Sequence, residues 1–181
     1  MSSLESPRLL LRAFESGDAS NLYRMDALPE VHTYLGNKPM QSIQEAEQVI
    51  GFIQAQYRSN GIGRWAAIEK SSGHFIGWAG LKYITEAENN RVNFYDLGFR
   101  LHPHFWGKGY ATEAGKISLA YAFNTLQTEE VIGTCHEQNL ASRKALEKCG
   151  LRFREKFIYN GELPCDWLSI SNAEWLNLQV K

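Results

Sequence analysis

The sequence predicts one α/β domain, with strands and helices mixed in the α+β manner. A central twisted, mostly antiparallel mixed sheet of six to seven strands is flanked by helices. Three observations predict it. The chain has 181 residues, and single domains run to roughly 100–200 residues. Its composition is 44% hydrophobic and 22% charged, the balance of a chain that folds around a core. The apolar period also switches repeatedly between two and 3.6, with short turns in the middle and a strand–helix–strand unit after them. No internal repeat, low-complexity tract or linker divides residues 1–181.

The elements follow in order. Residues 8–14 are apolar with partial alternation and read as the first strand. Gly17-Asp18 breaks it, and a short helix is expected over 19–25. Residues 26–41 hold Pro29 and Pro39 and read as irregular, with one helical turn. From Ser42 the period is helical: Ala46, Val49, Ile50, Ile53 and Tyr57 share a stripe. Ser42 with Glu45 reads as a capping box, and Asn60-Gly61 ends the helix. Strands are expected over 64–69, 74–83 and 93–101, joined at Ser72-Gly73 and Asn89-Asn90; such short turns favour antiparallel neighbours.

After Pro103 the period becomes helical again, with Ala111, Ala114, Ile117, Ser118, Tyr121 and Ala122 on one stripe. A strand over 130–135 and a helix over 139–149, stopped by Gly150, come next. Asn160-Gly161 joins strands 151–159 and 163–170 as a hairpin, and 173–178 reads as a last helical turn. The strand–helix–strand crossover calls for one parallel pair in a mostly antiparallel sheet.

Composition excludes several function classes. The formal net charge is -1, without the clustered Lys and Arg that a general grip on nucleic acid needs. The N-terminus has no long apolar run for a signal peptide or membrane span, so no membrane partner is expected and the cytoplasm is the expected compartment. The three cysteines, Cys135, Cys149 and Cys165, form no CxxC pair and no zinc spacing with histidine. They read as reduced thiols. Neighbours on a strand point to opposite faces, so Cys135 and His136 make a poor catalytic dyad. No metal is expected.

Any anionic ligand must therefore be held locally. The strand over 93–101 ends, Pro103 follows, and Trp106-Gly107-Lys108-Gly109-Tyr110-Ala111 opens a helix. Helix N-termini carry free N–H groups and the positive end of a dipole, which attract anions. Gly107 and Gly109 let the backbone approach a phosphate closely. Lys108 adds a mobile charge, Ala111 keeps the first turn small, and Thr112 offers a hydroxyl. The competing reading is a plain turn in which two glycines supply positive φ, and spacing alone does not separate the two. The loop is not a Walker loop, because no Gly-Lys-Ser/Thr follows four variable residues. Nor is it a dinucleotide fingerprint, because the glycine spacing differs.

Leu101-x-Pro103-x-x-Trp106-Gly107-Lys108-Gly109-Tyr110-Ala111-Thr112-Glu113-Ala114 resembles the acyl-CoA loop of the GCN5-related N-acetyltransferases. It is most similar to the branch containing the ribosomal-protein alanine acetyltransferases (RimJ/RimL-like). Trp106 stands where the wider family often has Gln or Arg. The resemblance spans nearly the whole chain. Ser6-Pro7-Arg8-Leu9-x-Leu11-Arg12, Phe75-Ile76-Gly77-x-x-Gly80-Leu81 and Asp96-Leu97-Gly98-Phe99 resemble the first, third and fourth strands. Asn139-x-Ala141-Ser142-Arg143-x-x-x-Glu147-Lys148-x-Gly150 resembles the later cofactor helix. Asp166-Trp167-x-x-Ser169-Ile170-Ser171-x-x-Glu174-Trp175 resembles the ending.

The resemblance implies acetyl-CoA as cosubstrate and an amine as acceptor, with direct transfer in a ternary complex. It implies a fourth strand splayed from the fifth, with the pantetheine arm against the backbone of Phe99, Arg100 and Leu101 as an added strand. Asn139 caps its helix; the resemblance adds a contact from its side chain to the cofactor arm. It also gives Ser142 the task of stabilising or protonating the departing thiolate, in place of the Tyr that many relatives carry where Leu146 stands. The competing reading is that Ser142 completes the helical turn.

A neutral amine needs a base. Asp96 is the first choice, against a purely structural role in its strand; Glu86, Glu88, Glu162 and Asp166 are further candidates. His102 and His104 flank Pro103 and read as a solvated loop. Arg143, Lys144 and Lys148 are candidates for the adenosine 3′-phosphate, or solvated helix charges. Trp65, Trp78 and Tyr83 read as core, with some lining the acceptor cleft. The branch suggests a protein N-terminal α-amine; small amines, or a non-catalytic acyl-CoA-binding module, are the alternatives. Monomer and homodimer are both open.

Overall fold

The structure is a computed structural model that describes residues 2–180. Its strands are β1 (Leu4–Glu5), β2 (Leu9–Arg12), β3 (Trp65–Glu69), β4 (Phe75–Ile84), β5 (Phe94–Leu101), β6 (Glu130–His136), β7 (Arg152–Tyr159) and β8 (Leu163–Ser171). The helices are α1 (Ala19–Asp26), α2 (Ile43–Asn60), α3 (Tyr110–Asn124), α4 (Leu140–Lys148) and α5 (Asn172–Gln179). One sheet runs β1-β2-β3-β4-β5-β6-β8-β7. It has eight strands where six to seven were expected. The extra strand, Leu4–Glu5, is two residues long, too short to carry a period. Pairing is antiparallel except between β5 and β6.

Local sequence accounts for the ends of the elements. Ser42 caps α2 by accepting from the Glu45 N–H, while the Glu45 carboxylate accepts from the Gln41 N–H. The expected box therefore closes one residue early. Gly61 takes the left-handed conformation that ends the helix. Asn160 and Gly161 both have positive φ in the three-residue connection between β7 and β8, where the Glu162 N–H donates to the Tyr159 carbonyl at 3.1 Å. The final segment forms two helical turns, opened by a complete box between Ser171 and Glu174.

The two sheet faces carry different helices. On one face α3, α4 and α5 bury Ala114, Leu119, Ala122, Leu146 and Trp175 against Leu81, Leu97, Leu101 and Val131. On the other, α1 and α2 bury Leu22, Met25, Ala46, Ile50 and Ile53 with Phe14 and Ala66. Burying one such aliphatic side chain contributes about 1.5–3 kcal/mol. Alternation along β5 puts Leu97, Phe99 and Leu101 on the α3 face. Asp96, Gly98 and Arg100 then face the α1–α2 side.

The β5–β6 pair fixes the place of the site. Only Tyr95↔Val131 and Asp96↔Ile132 are in register. Beyond them β5 continues with β4 as far as Leu101, and β6 continues with β8 as far as His136. The two strands run apart, leaving two backbone edges facing one gap. α3 begins beyond the far end of β5 and α4 beyond the far end of β6, so both helix N-termini point to the same end of the sheet.

Candidate active site

The approach to α3 is exposed from Trp106 to Gly109. Trp106 donates its indole N–H to the Leu101 carbonyl at 2.6 Å, closing the turn after β5. Gly107 and Gly109 have φ of 72° and 84°, the left-handed region that favours glycine. A Cβ at Gly107 would meet nothing within 4 Å among the described residues. Among the described residues no side chain caps the α3 N-terminus, and the first N–H groups of a helix have no partner within it. Arg8 holds the loop from outside: its Nη1 donates to the Lys108 carbonyl at 3.0 Å, and its Nε donates to Glu113 at 2.6 Å. Ser6 donates to the same carboxylate at 2.7 Å. The Ser6-Pro7-Arg8 segment thus serves to brace α3. Lys108 lies over the Phe105 ring at 5.4 Å. Tyr110 is buried and bonds Glu69. Ala111 and Thr112 are half-buried on the first turn.

Across the gap, Asn139 Oδ1 accepts from the Ser142 N–H at 3.1 Å. Asn139 is therefore the cap its sequence position suggested. The Ser142 hydroxyl is half-buried and makes no hydrogen bond among the described residues. Leu146 is core and packs where Gly133 has no side chain. Arg143 is engaged: it pairs with the buried Asp166 at 2.7 Å and with Glu147 at 3.0 Å, and stacks on Phe153. Lys144 and Lys148 stay exposed.

On the α1–α2 side of the gap lies Asp96. Arg64, from just before β3, lies across the sheet and bonds the Asp96 carboxylate, the Asp96 carbonyl at 2.6 Å and the Gly80 carbonyl. Gly98 makes room for it: a Cβ there would stand 2.7 Å from Arg64 Nη2. Asp96 is thus ion-paired in the structure. Glu88, in the β4–β5 connection, differs. It is half-buried and makes no side-chain hydrogen bond or ion pair among the described residues. Burial, and after it the charge of Asp96, pushes its carboxyl up to about 6. The connection is fixed by reciprocal Glu88–Arg91 backbone bonds at 2.9 Å, by Asn89 to Glu155 and by Arg91 to Glu130. Glu86 and Glu162 are exposed, and Asp166 is taken by Arg143.

Beyond Arg64 the surface dips into a cleft of about 310 Å³ lined by Asp26, His32, Met40, Arg64, Trp78 and Arg100. Arg64 and Arg100 both lie against the Trp78 ring, at 5.4 and 5.2 Å. Arg100 pairs with the buried Asp26 at 2.8 Å. Trp78 therefore lines the cleft, whereas Trp65 is fully buried core. Sequence reasoning missed Arg64, Asp26 and His32. The first precedes a strand with no motif around it, and the other two lie in or beside a stretch read as irregular. His102 and His104 flank a separate depression beside Lys108.

The cysteines are free and buried. Burial pushes the Cys135 and Cys149 thiols up to about 12 and Cys165 to about 11. No helix among the described residues is long and apolar enough to cross a membrane.

Comparison with known proteins agrees with this geometry. The family model described as an acetyltransferase (GNAT) domain matches residues 8–152. The FsC-acetyl coenzyme A-N(2)-transacetylase of Aspergillus fumigatus is 36% identical over 129 residues, covering 66% of this chain; the chain spans 54% of that relative's length. The ribosomal-protein-S5-alanine acetyltransferase of Vibrio fischeri superposes with a TM-score of 0.75 at 17% identity, over 97% of this chain and 99% of that one. The spermidine N-acetyltransferase of Vibrio cholerae, in complex with CoA and spermine, gives 0.73 at 19%, over 95% and 100%. A splayed parallel pair with an uncapped helix at its mouth, and a family match over most of the chain, make this protein a member of the GNAT acetyltransferase family.

Proposed function

We propose that this protein transfers the acetyl group of acetyl-CoA to a primary amine, with a protein N-terminal α-amine as the acceptor, by direct attack in a ternary complex. The single observation that carries the reading is the parting of β5 from β6 after Asp96↔Ile132, between two helix N-termini. The diphosphate sits on the N–H groups of Gly107 to Thr112 at the head of α3. The pantetheine arm adds to the free edge of β5 at Phe99, Arg100 and Leu101. Asn139 orders the α4 terminus, and Ser142, whose hydroxyl has no competing partner, assists the thiolate as it leaves.

The base belongs to the Asp96–Glu88 pair at the foot of the gap. Asp96, held by Arg64, sets the local field, and Glu88 is the member with a free carboxylate whose proton affinity approaches neutrality. The nitrogen attacks the thioester carbonyl, the C–S bond breaks, and the amine proton leaves toward Glu88 directly or through water. The reaction belongs in the cytoplasm, and the fold likeness to a ribosomal-protein acetyltransferase supports the RimJ/RimL-like branch.

A CoA-release screen tests this reading. It sets peptides with varied N-termini against polyamines, amino acids and aminoglycosides. Release with N-terminal peptides is expected. Release only with small amines moves the acceptor to that class, a reading the fold likeness to a spermidine acetyltransferase would favour. Binding of acetyl-CoA without release on any amine would leave only a non-catalytic module.

A further inference from the structure

Two residues lining the 310 Å³ cleft, Asp26 and His32, each carry a buried polar atom without a partner among the described residues. Asp26 is 2% exposed and His32 7% exposed. Asp26 Oδ2 takes the Arg100 bond, while Asp26 Oδ1 and His32 Nε2 are unsatisfied among the described residues. Leaving such an atom unpaired is unfavourable, so a cleft lined by two of these residues favours a ligand that satisfies them.

The charges on the walls select the kind of ligand. Asp26 is balanced by Arg100, Asp96 by Arg64, and the lining holds one further Lys38 and one Glu45. Burial, and after it the Arg100 charge, lowers the affinity of His32 for a proton, which favours the neutral ring. A neutral pocket has no surplus charge for an ammonium or a carboxylate. It offers an acceptor at Asp26 Oδ1, N–H donors on Arg100, a flat aromatic ring at Trp78, and apolar sides at Met40 and Ile53. That set matches an amide: its N–H to Asp26, its C=O to Arg100, its plane against Trp78.

Distance selects the source of the amide. Asp96 and Arg100 are four residues apart on β5, about 13 Å of strand. Three extended residues reach about 10 Å, and the side chains of Arg100 and Asp26 cover the remainder. A free amino-acid amide falls short of that span.

We infer that this cleft reads a backbone amide of a peptide acceptor, two residues beyond the reacting N-terminal amine, through Asp26, Arg100 and Trp78. The inference rests on the acetyltransferase reading above and adds to it the contact that would tell a peptide from a small amine.

The test compares kcat/KM by CoA release for an Ala-Ala-Ala amide, for the same peptide with its first or second amide N–H replaced by an ester oxygen, for alaninamide and for propane-1,3-diamine. The ester at the contacted link should lose about tenfold or more, because the site's acceptor is left unpaired. Alaninamide and the diamine should fall below the peptide. In Asp26→Asn the side-chain oxygen turns to Arg100 and an NH₂ faces the cleft, so amide and ester should become equal within about twofold. An unchanged acetyl-CoA thermal shift shows that the variant is folded. Should it fail to fold, the ester comparison in the natural protein decides alone. Equal rates for amide and esters, a preferred diamine, or an ester penalty that survives in folded Asp26→Asn would each overturn the amide site and leave the transferase intact. Silence across all acceptors while acetyl-CoA binds would overturn the transferase reading and the amide site together.

Discussion

Arg64 lies over Gly98 and ties down both the carboxylate and the carbonyl of Asp96, at the point where β5 leaves β6. One guanidinium thereby ties β4 to β5 beside the gap. Both side chains are mostly buried, with 11% and 14% exposed. Removing one partner leaves a buried charge alone, so Arg64→Ala should cost about 3–5 kcal/mol. Urea unfolding measures it; a loss under about 1 kcal/mol would mean that Asp96 finds water instead.

The same relationship makes Gly98 a sensitive position. In Gly98→Ala the new methyl occupies the place of Arg64 Nη2. The guanidinium must shift, with a cost of about 1–3 kcal/mol. Turnover should fall further than acetyl-CoA binding, because the displaced group adjoins the proposed reaction centre and not the α3 loop. Equal losses in both would argue against that placement.

Glu88 predicts a pH dependence. As base it must be ionised, so kcat/KM should rise with pH through about 6 and level off above it, and Glu88→Gln should remove that limb. Stability runs the opposite way. The folded-state carboxyl is raised above the usual carboxylate range, so the native state holds its proton longer than the unfolded chain does. The corresponding stability is fully present below about 4.5 and is lost as pH rises through about 6. Glu88→Gln should therefore gain over the natural protein at pH 7.5 and not at pH 4, by urea unfolding at both values.

Ser142→Ala should slow turnover with little change in acetyl-CoA affinity, whereas Asn139→Ala removes the α4 cap and should cost about 1 kcal/mol of stability. Single-turnover kinetics separates the two. Equal turnover in Ser142→Ala would take that hydroxyl out of the mechanism.

The three thiols should resist alkylation in the folded state at neutral pH, since burial holds them protonated. Mass spectrometry after iodoacetamide should find modification only in denatured protein. Rapid loss of activity with one modified cysteine would contradict this.

Elements whose signal is local were legible in the sequence. Gly109 before α3, Ser42 and Asn139 at helix caps, and Asn160-Gly161 at the hairpin each follow from one residue's own backbone chemistry. Contacts across long separations were not. Arg64 and Asp96 are 32 positions apart, and Asp26 and Arg100 are 74 apart. Nothing periodic joins either pair; the sheet register does. Arg100 was expected to act through its backbone, and its side chain turns out to hold Asp26. Residues around Asp26 and His32 looked irregular because they supply cleft walls, which follow no repeat. Leu4–Glu5 joins the sheet only because Leu10 and Leu11 are there to pair with it.

The most direct measurement is thermal unfolding with and without acetyl-CoA, in the natural protein and in Gly109→Val. Ligand at about a hundred times its Kd should stabilise the natural protein by about 2.7 kcal/mol. The valine, at a φ of 84°, should unfold cooperatively from a slightly lower Tm and show no ligand shift. No shift in the natural protein at saturating acetyl-CoA, or the same shift in both proteins, would contradict acetyl-CoA binding at the head of α3.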